Sequence, residues 1–198
     1  GLGKREAFST SAMWVDIDRD GHLDLFVCNY VRWTPEQDVF CSLDGKQKSY
    51  CTPEAYRGAT CWLFRNRGNG TFEDITANCG IFDSNSKALG VALIDDDQDG
   101  WPDLLVANDT EPNKLYRNLK NGKFRDVGLA AGLALSEDGK ARAGMGIDAA
   151  DFDNSGRSGI AVTNFEGEMI GLYRSEGAGR YRDVATRVGV GAPSKNRL

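Results

Sequence analysis

Apolar and polar positions alternate in a pattern that repeats three times. A small or apolar run leads into an Asp-rich loop and continues into a short β-type run ending in Asn, at residues 13–29, 92–108 and 149–164. A second block follows each, reading Leu-aromatic-Arg and then Asn or Ser, at 63–75, 115–127 and 172–184. Apolar and aromatic residues there flank a turn with Gly70, Gly122 or Gly179 where positive φ is needed, which predicts a hairpin. Each block ends in an apolar-Gly-apolar corner at Gly80, Gly132 and Gly189.

Spacing turns the pattern into an architecture. Asp95 and Asp151 lie 56 residues apart and Leu115 and Leu172 lie 57 apart, about four short strands per unit. The prediction is an all-β protein of about three four-stranded antiparallel β-propeller blades, with repeats near 10–80, 88–133 and 144–190. In the first unit the Asp loop and hairpin block are 47 residues apart, against 20 in the second, so an insertion of 27 residues falls within 30–60. Three blades do not close a ring and would leave faces and edges unsatisfied. The blades are therefore expected to be part of a larger ring, completed by further blades or by another chain. The opening Gly1-Leu2-Gly3 resembles the tail of a preceding blade.

The composition, 40% apolar and 27% charged over 198 residues, excludes disordered and collagen-like classes and suffices for a core. No apolar stretch reaches the roughly 20 residues of a membrane span. The chain starts at Gly1 without a charged-then-apolar leader, so any secretory signal is expected to have been removed or to lie outside this sequence. A net charge of −5 with no basic stripe argues against a nucleic-acid partner. Cys28, Cys41, Cys51 and Cys61 crowd into and around the insertion, which fits a secreted, periplasmic or cell-surface location. With no Cys-x-x-Cys pair and a single histidine, they do not form a zinc site.

The Asp loops carry the candidate chemistry. Asp at positions 1, 3 and 5 converges alternate side chains, Gly at 6 permits the sharp turn, and the carbonyl at 7 points inward, a hard-oxygen set that selects Ca²⁺. The first set is Asp16, Asp18, Asp20 and Asp24 with the carbonyl of His22; the second is Asp95, Asp97, Asp99 and Asp103 with that of Trp101. The third keeps Asp151 and Asp153 but has Ser155 at position 5 and Gly159 at position 9, so binding there should be weak or absent. An EF-hand would place Glu at position 12 and continue as a helix, whereas here that position is Val27, Val106 or Val162 inside a β-type run. Two such loops in register with a repeat exceed what ordinary turns require.

These loops and hairpin blocks resemble the FG-GAP, or VCBS-type, repeats of integrin α-chain propellers. The insertion with Tyr50-Cys-Thr-Pro-Glu-Ala-Tyr56 narrows the likeness to the ASPIC/UnbV group, relatives of cartilage acidic protein. The resemblance implies a secreted or surface-exposed propeller with Ca²⁺ in its blade loops, and implies no reaction.

The insertion carries Tyr30, Trp33, Phe40, Tyr50 and Tyr56 with balanced charge, and reads as a partner surface or as a disulfide-pinned flap over its own blade. Cys41 and Cys51 could close a loop inside it; Cys28 and Cys61 could staple its base, or Cys28 is simply core. Cys79 reads as a small buried residue. Asp74, Asp126 and Asp183 recur after each hairpin and read as structural. The resulting expectation is a non-enzymatic, Ca²⁺-stabilised module that binds a protein or glycan outside the cytoplasm. The rivals are a Ca²⁺-dependent glycan module using Trp101, a propeller-type polysaccharide lyase or dehydratase, and a structural subunit of a larger assembly.

Overall fold

The computed structural model describes residues 2–195, so Gly1 of the proposed preceding-blade tail lies outside the described residues. Twelve strands form three four-stranded antiparallel sheets, each ordered as its strands run in sequence. The first sheet holds β1 (Ser9–Val15), β2 (Asp24–Asn29), β3 (Trp62–Asn66) and β4 (Phe72–Asp74). The second holds β5 (Ala88–Ile94), β6 (Asp103–Asn108), β7 (Lys114–Asn118) and β8 (Phe124–Asp126). The third holds β9 (Gly144–Ala150), β10 (Gly159–Asn164), β11 (Gly171–Gly177) and β12 (Arg180–Asp183). The fold is the expected all-β set of propeller-like blades.

The sheets stack face to face because the strands of the second sheet offer alternate residues to the first and to the third. One core, between the first and second sheets, contains Ile17, Phe26, Leu63, Leu104, Val106 and Phe124; another, between the second and third, contains Leu105, Leu115, Ile160, Val162 and Tyr173. Along β6, Leu104 and Val106 point one way and Leu105 and Ala107 the other. All six residues of that strand are buried, as a sheet covered on both faces requires. Each large apolar side chain buried here contributes about 1.5–3 kcal/mol.

The recurrent polar residues turn out to be the joints of the blade. Asn29, Asn108 and Asn164, all buried, donate their side-chain amides to Thr60, Pro112 and Met169 carbonyls across the connection between second and third strands. The same bond therefore forms in the first blade across the insertion. Asp74, Asp126 and Asp183 each accept the backbone N–H two residues on, from Thr76, Gly128 and Ala185, which fixes the exit of the fourth strand. The corner glycines have φ of 89°, 82° and 82°, and the hairpin glycines 79°, 73° and 68°, as the pattern predicted. At the first corner the blades are joined directly, since Phe124 N–H donates to the Cys79 carbonyl at 2.6 Å.

The insertion leaves the first sheet as a continuation of the β2–β3 ladder, with Val31 bridging Gly58. It then forms two short 3-10 turns, Pro35–Gln37 and Pro53–Ala55, around a Cys41–Cys51 disulfide. Cys28, Cys61 and Cys79 are buried thiols.

Candidate metal-binding loops

Each Asp loop joins the first two strands of its sheet, and its shape follows from the residues at positions 1, 4 and 6. Asp16 accepts the N–H groups of Asp20 and Gly21 at 3.1 and 3.0 Å, Asp95 those of Asp99 and Gly100 at 2.9 and 2.8 Å, and Asp151 those of Ser155 and Gly156 at 2.9 and 2.8 Å. Position 4 adopts left-handed φ of 59°, 57° and 55° at Arg19, Gln98 and Asn154; the glycines at position 6 adopt 84°, 84° and 76°. Thus the third loop keeps the same backbone although it lacks two of the four carboxylates.

The carboxylates gather differently in the two complete loops. Ligand oxygens of Asp16, Asp18 and Asp24 lie within 4.8 Å of one another, as do those of Asp95, Asp97 and Asp99. Asp20 and Asp103 stand outside these groups. Asp20 and its counterpart Asp99 each accept the N–H two residues ahead, from His22 and Trp101, both at 2.9 Å. The position-9 residues are fully buried clasps: Asp24 accepts from Ile17 and Asn66, and Asp103 from Asp96 and Asn118. Burial pushes the Asp103 carboxyl up to about 6 and that of Asp24 upward, against the backbone donors that favour the charged form. In the third blade the accepting half of this clasp is lost, because Gly159 stands at position 9. The Phe152 ring occupies the space, 2.3 Å from where a β-carbon on Gly159 would sit.

Basic residues of the hairpin block lean over the loops, a role the sequence pattern did not reveal although Arg65, Arg117 and Arg174 recur in it. Arg65 pairs with Asp18, Arg117 with Asp96, and Lys120 with Asp99 at 2.8 Å. Asp96, at position 2, has a fully buried side chain and was not singled out by the loop pattern. Desolvation and the neighbouring Asp99 push the Asp97 carboxyl up.

Oxygen donors of this density suit a hard divalent cation. The first loop fits one on its own geometry: Asp18 is a member of the converging group, and its Oδ1 is buried without a hydrogen-bond partner. His22 is exposed, its imidazole lies over the Gly68 turn, and only its backbone belongs to the loop. Trp101 is half-buried, and the Arg19 guanidinium of the first loop covers its ring at 4.9 Å. Gln98 likewise reaches from the second loop to the Gly156 carbonyl of the third at 3.3 Å, so the position-4 side chains of the first and second loops each touch the loop that follows.

The second candidate surface is the insertion. A groove of about 790 Å³ is lined by Phe8, Tyr30, Trp33, Tyr50 and Tyr56 with Asp38 and Lys48. Asp38 is held well below the usual carboxylate range, to about 2, by Lys48, Trp33 Nε1 and the Tyr56 hydroxyl. Phe40 is 63% exposed, Leu43 96% and Tyr50 fully. At the base, the Tyr30 hydroxyl donates to Asp109, the residue that follows β6.

Comparison with known proteins adds the family context. The FG-GAP-like repeat profile matches residues 37–106 and 95–162, two copies that overlap at the second Asp loop. Cartilage acidic protein 1 from Mus musculus and from Homo sapiens is 36% identical over 129 residues, and that from Xenopus tropicalis 34%. The match covers 64% of this chain and 18% of the relatives' length, so the chain spans only a small part of the proteins it resembles.

Proposed function

The chain belongs to the FG-GAP-like repeat family, and from that premise we propose that it is a calcium-stabilised propeller module that presents the 30–60 insertion to a protein or glycan partner outside the cytoplasm. The observation that carries the reading is the convergence of three carboxylates within 4.8 Å at the same turn of two successive blades. Asp16, Asp18 and Asp24 would hold the first ion, with Asp20 and the His22 carbonyl completing the set. Asp95, Asp97, Asp99 and Asp103 with the Trp101 carbonyl would hold the second. Asp151, Asp153 and Ser155 make at most a weak third. The ion supplies positive charge where like charges would otherwise repel, and so stiffens the turn.

The exposed aromatics of the insertion support a binding role, since aromatic side chains on a rigid support dominate interfaces. The pairing of each cluster with structural clasps, rather than with a nucleophile and base, favours a non-catalytic module. The outward face of the first sheet, where Trp14 is 52% exposed and packs on Phe72, supports a ring completed by a further blade or another chain.

Calorimetry and thermal melts with and without chelator test the proposal. At millimolar Ca²⁺ and the affinities usual for extracellular sites, each loop should add about 0.4–1.4 kcal/mol. Asp18→Ala and Asp97→Ala should each abolish one site, while Asp153→Ala should change little. No heat and unchanged melting at millimolar Ca²⁺ would sink it.

A further inference from the structure

The three thiols share one core, yet two of them are placed in a way the third is not. The β2–β3 ladder pairs Leu25 with Phe64, Phe26 with Leu63 and Val27 with Trp62, and the same register reappears at Val31 and Gly58. Between those fixed points it sets Cys28 directly opposite Cys61. Both are buried, at 0% and 1% exposure, and lie in the same hydrophobic core. Opposed residues in an antiparallel pair lie about 4.5–5.5 Å apart at Cα, within the roughly 4.4–6.8 Å that a disulfide spans. Cys79 lies in the same core but at a chain corner, with its thiol directed to the Thr76 carbonyl.

The other blades show that cysteine is not required at these positions. Ala107 and Asn113 occupy them in the second blade, Thr163 and Ile170 in the third. Cysteines stand at both only in the first blade, the one whose connection between these strands is lengthened by the insertion. A longer connection raises the entropy cost of holding its two ends together, and a covalent link at its base acts on that cost.

We propose that Cys28 and Cys61 are a cross-strand disulfide pair that closes the base of the insertion, outside the Cys41–Cys51 bridge and nested around it. The oxidant is a disulfide-carrying donor, protein or small molecule. One cysteine thiolate attacks the donor disulfide and releases a donor thiol; the other then attacks the mixed disulfide and releases the second donor thiol. The two protons leave with the two donor thiols. Because the sealed pair excludes solvent, exchange takes place while β3 docks on β2, and the finished bond is shielded from later reduction. Cys79 remains the sole thiol.

The test is a peptide map. Reduced, unfolded protein is refolded in a glutathione/glutathione disulfide buffer, alkylated in denaturant and digested without reduction. The expected result is two linked peptide pairs, 28 with 61 and 41 with 51, and label on Cys79 alone. The Cys79→Ala variant should give the same links and no label, and Cys41→Ala/Cys51→Ala should retain the 28–61 link. Label on both Cys28 and Cys61, or Cys79 joined to either, overturns the proposal. These outcomes do not depend on calcium.

Discussion

Alanine at the three corner glycines measures how tightly successive blades dock. Gly80, Gly132 and Gly189 occupy the same place in their blades and have φ of 89°, 82° and 82°, so the backbone strain of adding a β-carbon is common to all three, about 1–2 kcal/mol. Their surroundings differ. At Gly189 a β-carbon meets nothing within 4 Å, at Gly132 it comes to 2.9 Å from the Tyr181 carbonyl oxygen, and at Gly80 to 2.2 Å from that of Phe124. Both oxygens belong to hairpins of the following blade, and at Gly80 relief of the clash also pulls on the Phe124–Cys79 hydrogen bond. We expect losses of about 1–2 kcal/mol for Gly189→Ala, 2–3 for Gly132→Ala and 3–5 for Gly80→Ala. Urea denaturation followed by tryptophan fluorescence, at fixed calcium, gives the three values. Equal losses, or a larger loss at Gly189 than at Gly80, would refute the claim that corners seat against the next blade.

Three further outcomes follow from the side-chain geometry. Ser155→Asp/Gly159→Asp should destabilise the third loop without creating a site, because Phe152 fills the space; adding Phe152→Ile should recover stability and add a calorimetric Ca²⁺ site. Tyr30→Phe should cost about 1–3 kcal/mol in thermal melts, since it removes the hydroxyl from the buried Asp109 carboxylate, and the loss should shrink in the Asp109→Asn background. Lys120→Ala should tighten calcium binding at the second loop, because the ammonium competes for Asp99, and the gain should fade at high salt.

The strands were legible because each repeat spells its own turn chemistry: Asp at position 1, Gly at 6, Gly at the hairpin and Gly at the corner each fix one backbone feature. The buried Asn29, Asn108 and Asn164 were visible as a recurring letter but not as the bond they make, since that bond closes over a connection of variable length. The same holds for Arg65 and Arg117, whose partners lie in the loop of their own blade tens of residues away. Phe152 was opaque for a different reason. An aromatic at position 2 reads as another apolar residue until the glycine at position 9 is seen to be the space its ring needs. The insertion has no period to read, and its shape comes from Cys41–Cys51, two proline-initiated turns and the ladder that carries β2 past Asn29.

The third loop has a consequence for the whole array. Its turn is shaped by Asp151, by left-handed Asn154 and by Gly156, while the two positions at which carboxylates are missing, Ser155 and Gly159, leave that shape intact. Folding and ion affinity are thus written in different letters of the same nine-residue word. A blade can drift to lower charge one substitution at a time and stay in place, provided something such as the Phe152 ring fills the gap. With calcium held as proposed, its contribution would be a dosage, set blade by blade, and the number of Asp residues surviving at positions 5 and 9 would be its scale.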